Sequence, residues 1–369
     1  SLSAPRLGAV VISEAVKRAG ISNSDVNEVI MGNVLAAGIG QAPARQATIY
    51  AGLPVSVPCM TINKVCGSGL KAVMLADQSI KLGDSDFVVA GGMESMTNAP
   101  YMLLNARAGY RMGNGELIDS MIHDGLWDVY NNFHMGMAGE LCATECNITR
   151  EDQDEFAILS YKRAIESLEK GYYKDEVVPV VIEDRKGTIT IDRDEEPEKV
   201  KFDKVPTLKP VFKKDGTVTA ANASSIDDGA SAVIVANPDK ASSLGLKPLA
   251  KIIAYATFAQ KPEWFTTAPA EAIKKALEKA NMKAEDIDYF EINEAFASVP
   301  IFSSRALNIP YDKINVHGGA IALGHPIGAS GARVLTTLIY ALKQNKKKFG
   351  LASLCIGGGE AVALIIEMM

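Results

Sequence analysis

The first residues that could do chemistry lie in a glycine-rich turn around Cys66. The apolar run 57–62 predicts a buried strand before this turn, and the helix formers of 70–76 predict a helix after it. A helix N-terminus carries partial positive charge, so we expect the pKa of a cysteine there to fall from about 8.5. Its unpaired N–H groups can also hold an oxyanion. Cys66 is therefore a predicted nucleophile, and the alternative is a small buried side chain without chemistry.

Three more reactive or polar side chains lie at turns in the second half of the chain. His325 ends a glycine-dense segment, Cys355 lies where a predicted strand meets a glycine turn, and Asn293 follows another predicted strand. A histidine can accept a thiol proton, and a second cysteine can act as an acid or base if its pKa is near the working pH. Each also has a structural explanation, as a loop cap, a strand core residue and a helix cap respectively. Their joint occurrence favours catalysis.

The elements that must position these side chains alternate between strand and helix. We predict a helix over 3–19 with Ser3 as its N-cap, a strand over 26–34, a helix over 43–51 and a strand over 86–94. Such alternation predicts an α/β protein with a parallel sheet that is covered on both faces.

The two halves of the chain also resemble each other. Segment 15–26 matches 276–287, 66–69 matches 328–331, and 89–94 matches 355–360, at offsets of 261, 262 and 266. Three matches at nearly one offset indicate a duplicated α/β unit. A duplicated fold places equivalent loops of both halves beside one cleft, so Cys66 could meet groups from the second half.

The alternating pattern is interrupted between about residues 95 and 225. This stretch contains an irregular part, a helical pattern over 138–168 with Thr149 as an N-cap, two short predicted strands and a charge run over 192–204. Long insertions of this kind often carry binding surfaces. We therefore predict a first half of 1–94 with 226–247, an inserted loop domain of 95–225, and a second half of 248–369.

Composition excludes several classes of protein. The chain has 369 residues, 47% of them hydrophobic and 22% charged, and a net charge of −6, which predicts a folded protein of more than one domain. There is no basic stripe with aromatic residues and no apolar run of membrane-spanning length, so nucleic-acid binding and a membrane span are not expected. Five cysteines without a CxxC pair indicate free thiols in a reducing compartment. A metal site formed by Cys142, Cys146 and His134 is disfavoured by its spacing.

Four segments together resemble the motif set of the thiolases. They are Asn-Lys-Val-Cys-Gly-Ser-Gly at 63–69, Asn-Glu-Ala-Phe at 293–296, Gly-His-Pro-Ile-Gly at 324–328 and Cys-Ile-Gly-Gly-Gly at 355–359. The resemblance covers almost the whole chain in order. Segments 124–126, 133–136 and 217–224 are most similar to the short-chain acetoacetyl-CoA thiolases, and among these to the animal mitochondrial type. The resemblance implies the thiolase fold, with two duplicated βαβαβ-type halves in a layered αβαβα arrangement.

The resemblance implies a role for each catalytic residue. Cys66 would be acylated after His325 takes its proton, and Cys355 would move the α-proton of the second acetyl-CoA. The N–H groups of Cys66 and Gly357 would form an oxyanion hole, and His325 with a water on Asn293 would stabilise the enolate. The implied activity is that of an acetyl-CoA C-acetyltransferase, which joins two acetyl-CoA into acetoacetyl-CoA and CoA or cleaves acetoacetyl-CoA with CoA.

The resemblance also implies how coenzyme A and a cation are bound. The inserted domain would bind CoA, and Phe265 would line the acyl pocket. The implied CoA and substrate contacts are Leu126, His134, Met135, Tyr161, Lys199, Val200, Lys201, Lys204 and Ser224. The implied potassium ligands are Tyr161 and the carbonyl groups of Ala220, Ala221, Ala223 and Ile321. For the lysines, the alternative is a solvated charged face.

Three departures from the family pattern affect these expectations. The family has a strand before the opening helix that this sequence does not include, which would remove one strand from the first sheet. Thr266 stands where the enzyme that accepts branched substrates has proline, so use of 2-methyl substrates is open. Ile321 replaces a valine. The resemblance further implies a homotetramer and the mitochondrial matrix, with the cytoplasm as the alternative compartment.

Three other interpretations of the sequence compete with that of a short-chain thiolase. A ketoacyl synthase shares the fold and nucleophile, but it would carry histidines, or histidine and asparagine, in place of Cys355 and the Asn293 motif. A non-catalytic relative that only binds acyl-CoA is opposed by the intact set of Cys66, His325, Cys355 and Asn293. A thiolase for longer 3-ketoacyl-CoA chains differs in its acyl pocket, which the sequence does not define.

Overall fold

The computed structural model describes residues 2–184 and 187–369. Its α-helices are α1 (Ala4–Ala19), α2 (Pro43–Tyr50), α3 (Ser68–Leu82), α4 (Met135–Glu145), α5 (Arg150–Lys170), α6 (Pro238–Ser243), α7 (Ala268–Ala280), α8 (Ser298–Leu307), α9 (Ala320–Leu323) and α10 (Ser330–Gln344). Its strands are β1 (Glu28–Gly32), β2 (Cys59–Ile62), β3 (Phe87–Ser95), β4 (Tyr101–Met102), β5 (Ile118–Asp119), β6 (Trp127–Asp128), β7 (Phe133–His134), β8 (Val180–Asp184), β9 (Gly187–Ile191), β10 (Asp228–Ala236), β11 (Ala250–Ala259), β12 (Tyr289–Ile292), β13 (Phe349–Ile356) and β14 (Glu360–Met368).

The first large sheet is mixed rather than wholly parallel. Its order is β10-β3-β1-β2, with β1 parallel to β2 and β3, and with β10 antiparallel to β3. The expectation of a parallel sheet is therefore wrong for its β10 edge. The chain leaves this sheet after β3 and returns through β10 only after the insertion, which allows the direction to reverse.

The second large sheet repeats this plan. Its order is β11-β14-β13-β12, with β12 parallel to β13 and with β14 antiparallel to β13 and β11. Strand β13 corresponds to β3 and β14 to β10, which confirms the duplication that the sequence offsets predict. The domain boundaries drawn from the sequence remain a prediction.

Two central helices lie between the sheets and bring the halves together. Helix α3 packs on β1 and β3, α10 packs on β12 and β13, and the two helices pack on each other. Their N-terminal turns approach so closely that a Cβ on Gly69 would lie 2.6 Å from the backbone nitrogen of Ala332. Helices α1 and α2 cover the outer face of the first sheet and α7 that of the second. The layered αβαβα arrangement expected from the resemblance is confirmed.

Strand β2 differs from its sequence prediction. Its apolar run predicts a buried strand, yet all its residues are half-buried except Met60, which is exposed. The reason is its place at the end of the strand order, where one side of the strand has no partner among the described residues. Local hydrophobicity does not distinguish an edge strand from a central one.

The insertion contains two helices across the helical pattern predicted over 138–168, and the second begins after the predicted N-cap Thr149. Helix α4 ends at Glu145, and Asn147 adopts a left-handed conformation with φ of 51°. Helix α5 begins after Thr149, whose side chain accepts a hydrogen bond from Asp152 and completes a capping box, as predicted for this N-cap. Strands β8 and β9 pair as a hairpin. In the described part of the chain, no helix is long and apolar enough to cross a membrane.

Candidate active site

The turn that carries Cys66 is strained. Val65 has φ of 45°, a left-handed conformation that a β-branched residue rarely adopts. The Ser68 hydroxyl holds the turn, because it donates to the Val65 carbonyl at 2.7 Å and accepts from the Lys64 amide at 2.8 Å. Such strain persists where the surrounding structure fixes the backbone, and it is most often found at functional sites. Here the strained backbone of Val65 sets the orientation of the next side chain, that of Cys66.

Two backbone N–H groups lie beside the sulfur of Cys66 and favour its thiolate form. One belongs to Cys66 itself and the other to Gly357, which follows β13, and both lower the pKa of the thiol. Burial has the larger and opposite effect, so the pKa of Cys66 is raised to about 11. The expectation of a lowered pKa at a helix N-terminus is therefore wrong. The buried thiol loses its hydration, and the two N–H groups do not compensate for that loss.

Cys355 lies at the end of β13, close enough to Cys66 for the charge of one to affect the other. Burial raises the pKa of the Cys355 thiol well above its usual value, and the neighbouring Cys66 raises it further. Both sulfurs are thiols at neutral pH. Cys355 is fully buried, so the site between the two sulfurs is shielded from water.

His325 is buried and neutral. Burial lowers the pKa of its imidazole to about 3, and the positive charge of Arg333 adds to this effect. Its Nδ1 lies 2.6 Å from the hydroxyl of Ser330, which in turn donates to the Pro326 carbonyl at 3.0 Å. A hydroxyl whose proton is used in this way can only accept from Nδ1–H. This leaves Nε2 unprotonated, as a proton acceptor.

Asn293 faces the same imidazole. Its Nδ2 lies 3.3 Å from Nε2 of His325. Its Oδ1 is buried and has no hydrogen-bond partner among the described residues. Buried polar atoms are nearly always paired in proteins, so this oxygen is suited to hold a water or a substrate group. The structure thus brings together Cys66, His325, Cys355, Asn293 and Gly357, the five residues predicted to be catalytic.

Ser330, Glu94 and Glu294 are supporting residues that sequence reasoning missed. Glu94 accepts hydrogen bonds from the amides of Val34, Leu35 and Gly328, and so ties the first half to the His325 loop. Glu294 accepts from Ser160, Asn315 and the Ile321 amide. Both carboxyl groups are buried, which raises their pKa, to about 7 for Glu94. Ser330 and Glu94 lie within the sequence repeats, which was the signal that could have identified them.

Residues of the insertion reach the site from one side. A Cβ on Gly357 would lie 3.3 Å from the sulfur of Met135, and Leu126 packs against the cluster that contains Cys66. The ring of His134 stacks on Phe212 at 4.7 Å, and burial lowers the pKa of this histidine. Met135 and Leu126 therefore line the site, with His134 immediately behind Met135.

The predicted acyl-pocket and pantetheine residues lie around Phe296. The ring of Phe265 lies 6.4 Å from that of Phe296, and both belong to the buried core of the second half. The hydroxyl and the amide of Ser224 both donate to the Ala295 carbonyl at 3.1 Å. This places Ser224 and Phe265 beside the turn that carries Asn293.

The predicted nucleotide-binding lysines lie apart from this centre. Lys199, Lys201 and Lys204 are exposed on short helical turns of the insertion, and Lys199 already pairs with Glu196 at 2.9 Å. Val200 packs at the edge of the second-half core. None of these residues contacts the Cys66 turn within the described chain, so their role in binding stays a prediction.

The predicted potassium ligands lie in one region of the fold. The carbonyl oxygens of the four predicted backbone ligands accept no hydrogen bond from the described residues, which suits a cation site. Burial raises the pKa of Tyr161 to about 12, and the charges of Glu196 and Glu294 add to it. These carbonyl groups are at Ala220, Ala221, Ala223 and Ile321. Within the described ranges, no group of three or more His, Cys, Asp or Glu side chains could hold a metal ion. Cys142 and Cys146 are therefore not part of such a group.

The arrangement can perform acyl transfer. A neutral imidazole with a free Nε2 can take the proton of a buried thiol, and two N–H groups beside that thiol can stabilise the oxyanion that forms when it attacks a carbonyl carbon. A second buried thiol at the same point can exchange a proton with a bound carbon acid. Each half of the fold contributes part of this set.

Comparisons with known proteins agree with this chemistry. The model of the thiolase N-terminal domain matches residues 1–239 and that of the thiolase C-terminal domain matches residues 246–368. The acetyl-CoA acetyltransferase of Cupriavidus necator is 53% identical over 99% of this chain and 94% of its own length. Acetyl-CoA acetyltransferase 1 of Arabidopsis thaliana is 52% identical over 100% of this chain and 90% of its own length.

Solved structures show the same relationship. The crystal structure of the Bacillus anthracis acetyl-CoA acetyltransferase superposes with a TM-score of 0.98 at 41% identity, covering 100% of this chain and 94% of that chain. The Acat5 thiolase of Ascaris suum, solved in complex with coenzyme A, superposes with a TM-score of 0.95 at 42% identity and the same coverage.

Proposed function

This chain belongs to the thiolase family, and from that premise we propose that it is an acetyl-CoA C-acetyltransferase. It joins two acetyl-CoA into acetoacetyl-CoA and CoA, and it catalyses the reverse cleavage. The observation that carries the proposal is the pair of N–H groups, from Cys66 and Gly357, that lie beside the sulfur of Cys66. Relatives at about half identity over nearly the whole chain bear the same activity in their names.

The first half-reaction acetylates Cys66. Nε2 of His325 accepts the thiol proton as the sulfur attacks the thioester carbonyl, and the two N–H groups stabilise the resulting oxyanion. In the free protein, the pKa of Cys66 is far above that of His325. A resting ion pair is therefore disfavoured, and proton transfer accompanies the attack. CoA then leaves as a thiol, with the proton returned to it from His325.

The second half-reaction forms the carbon–carbon bond. In the acetylated enzyme, His325 first takes the thiol proton of Cys355. The resulting Cys355 thiolate takes an α-proton from a second acetyl-CoA, and the enolate oxygen is stabilised by protonated His325 and by a water held on Asn293. The enolate carbon attacks the acetyl group on Cys66, and the Cys66 sulfur leaves and regains its proton from His325. Thiolysis runs these steps in reverse. A thioester α-C–H is a weak acid, so this step depends on donors fixed in a dry site.

The insertion provides the CoA site in this proposal. Met135 and Leu126 lie against the Cys66 centre, and Ser224 lies beside the Asn293 turn. The exposed Lys199, Lys201 and Lys204 would bind phosphates as mobile charges. The related Ascaris suum enzyme was solved with coenzyme A, which supports a ligand of this class.

We also propose that the protein binds potassium, forms a homotetramer and lies in the mitochondrial matrix. Four carbonyl oxygens that accept no hydrogen bond from the described residues would, together with Tyr161, bind the potassium ion. The resemblance supports a homotetramer in the mitochondrial matrix. Replacing potassium by sodium should slow thiolysis, and unchanged rates would remove potassium from the proposal. Light scattering would test the tetramer, and localisation of the full-length protein in its own cells would test the compartment.

The decisive experiment measures CoA-dependent cleavage of acetoacetyl-CoA by the wild type, Cys66→Ala and Cys355→Ser. Cleavage by the wild type that is lost in Cys66→Ala supports the proposal. With Cys355→Ser, acetyl-CoA should still acetylate Cys66, as seen in the mass of the tryptic peptide 65–71, while acetoacetyl-CoA no longer forms. A folded wild type that binds acetoacetyl-CoA without cleaving it would favour a binding protein of this fold instead. Faster cleavage of longer 3-ketoacyl-CoA chains would identify a thiolase of broader range.

A further inference from the structure

Two cysteines outside the active site lie at the C-terminal end of α4, one in its last turns and one just after it. Cys142 and Cys146 are four residues apart, so their side chains are neighbours along the helix. Cys142 is fully buried, whereas Cys146 is half-buried and reachable from solvent. The acetyl transfer proposed above uses neither of them.

The two thiols interact with each other and with polar groups. Cys142 lies near Cys146 and near the hydroxyls of Thr266 and Ser298, all of which affect the pKa of its thiol. Both hydroxyls are buried and have no hydrogen-bond partner among the described residues. Cys142 is therefore held between a buried polar wall and the more accessible thiol.

Arg305 provides a positive charge at the accessible end of the pair. Its guanidinium donates to the Asn147 carbonyl at 3.1 Å and pairs with Asp152 at 2.8 Å, which fixes it beside Cys146. The neighbouring Cys142 thiol, more than Arg305, lowers the pKa of Cys146 to about 7, against the opposing effects of burial and Glu145. A cysteine in such a setting is a thiolate for much of the time and reacts with oxidants.

The backbone allows the two sulfurs to join. Residues four apart in a helix have Cα atoms about 6 Å apart, which is within the range that disulfides span. Helix α4 ends at Glu145, and Cys146 already departs from helical geometry, with φ of −98° and ψ of 9°. The last turn can therefore tighten without disturbing the part of α4 that carries Met135.

We propose that Cys142 and Cys146 form a reversible intrahelical disulfide when hydrogen peroxide oxidises Cys146. The Cys146 thiolate attacks one peroxide oxygen, which gives the sulfenic acid and hydroxide. The Cys142 sulfur then attacks the sulfenic sulfur, the S–S bond forms, and water leaves with the Cys142 proton. The two electrons pass from the two thiols to one peroxide, and a dithiol reductant reverses the change. This site is separate from Cys66 and Cys355.

Peptide mass mapping can test this directly, because trypsin separates the thiols. Peptide 112–150 contains Cys142 and Cys146 and no other cysteine, while Cys59, Cys66 and Cys355 lie in 46–64, 65–71 and 349–369. The folded wild type is treated with peroxide, quenched in acid and alkylated in denaturant. We expect peptide 112–150 to lose two hydrogens, to escape alkylation, and to recover both thiols after dithiothreitol.

Variants separate the steps. In Cys146→Ser no disulfide should form, and in Cys142→Ser the sulfenic acid of Cys146 should pass on to sulfinic acid, because no second thiol is present. Cys59→Ser, which removes another half-buried thiol, should leave the oxidation of peptide 112–150 unchanged. Two alkylated thiols in peroxide-treated wild type, or sulfinic Cys146 beside a free Cys142, would overturn the proposal. The readout is independent of acetoacetyl-CoA cleavage, so the two proposals fail separately.

Discussion

Nδ1 of His325 lies 2.6 Å from the hydroxyl of Ser330, a residue that the sequence motifs did not single out. With the hydroxyl proton assigned to the Pro326 carbonyl, Ser330 accepts from the imidazole and leaves Nε2 unprotonated. Ser330 touches no reacting atom in this scheme. It is a positioning residue that sets the tautomer of the base.

Ser330→Ala should lower kcat by about 10- to 100-fold, part of the usual contribution of a positioned base, with little change in KM. Without its acceptor, the imidazole is free to place the proton on Nε2, where it can no longer take the Cys66 proton. Thr336→Val, on the same helix and away from the imidazole, is the matched control. The rate of Cys66 acetylation and its pH profile should both change in Ser330→Ala. Equal kcat in the wild type and the variant would remove Ser330 from the mechanism.

Alkylation of Cys66 should become faster throughout the neutral and mildly alkaline range. The pKa of Cys66 is raised to about 11 and that of His325 lowered to about 3, so the free protein holds a thiol beside a neutral imidazole. The thiolate, which reacts with iodoacetamide, then grows with pH without a plateau below about pH 9. Iodoacetamide labelling of peptide 65–71 across this range is the measurement.

A plateau of labelling between pH 6 and 8 would instead show a preformed thiolate–imidazolium pair and contradict this electrostatic picture. Peptide 46–64, which carries Cys59, is labelled in the same samples and reports any general effect of pH on the reagent.

The placement of the four main site residues could be predicted from sequence, but their electrostatics could not. The repeat offsets indicated that loops of both halves share a cleft, and Cys66, His325, Cys355 and Asn293 do meet there. The direction of the Cys66 pKa shift was wrong, because its burial depends on Val34, Leu35, Ile327 and other residues distant in sequence. Ser330 was missed since its role depends on the orientation of a ring. Likewise, the apolar sequence of β2 predicted a buried strand. Its position at the edge of the sheet depends on the order of the strands, which the local sequence does not contain.

We expect Thr266 to set the width of the proposed acyl pocket through Phe265. Phe265 is in a helical conformation, with φ of −54° and ψ of −29°, which a following proline disfavours. Thr266→Pro should therefore move Phe265 and raise the cleavage of 2-methylacetoacetyl-CoA relative to acetoacetyl-CoA by about tenfold, the value of one methyl group in an apolar pocket.

Thr266→Val is the control for that substitution. It keeps the shape of the side chain and removes a buried hydroxyl that has no oxygen or nitrogen partner in the described chain. The substrate ratio of this variant should equal that of the wild type. If the proline variant folds and keeps the wild-type ratio as well, Phe265 does not determine substrate width.

Glu291 makes the stability of the fold depend on pH. Burial raises its pKa to about 8, with Glu294 and Glu176 adding to the shift, while Arg333, 3.9 Å away, and Arg163 oppose it. The folded state therefore holds a proton that the unfolded state, with a pKa of about 4.5, has lost. This contribution is fully present below pH 4.5 and is lost as pH rises to 8, so the free energy of unfolding should fall over that range. The loss is on the order of a few kcal/mol.

Glu291→Gln removes this titration, so its free energy of unfolding should fall less between pH 5.5 and pH 8.5 than that of the wild type. Urea unfolding at fixed protein concentration measures the difference, and Glu278→Gln, at an exposed position on α7, is the control. Parallel pH profiles for the wild type and Glu291→Gln would mean that Arg333 keeps the carboxylate charged in the folded state. In that case the buried carboxylate and the guanidinium form an ion pair, and the variant should instead be destabilised equally at every pH, because Arg333 is left without its partner.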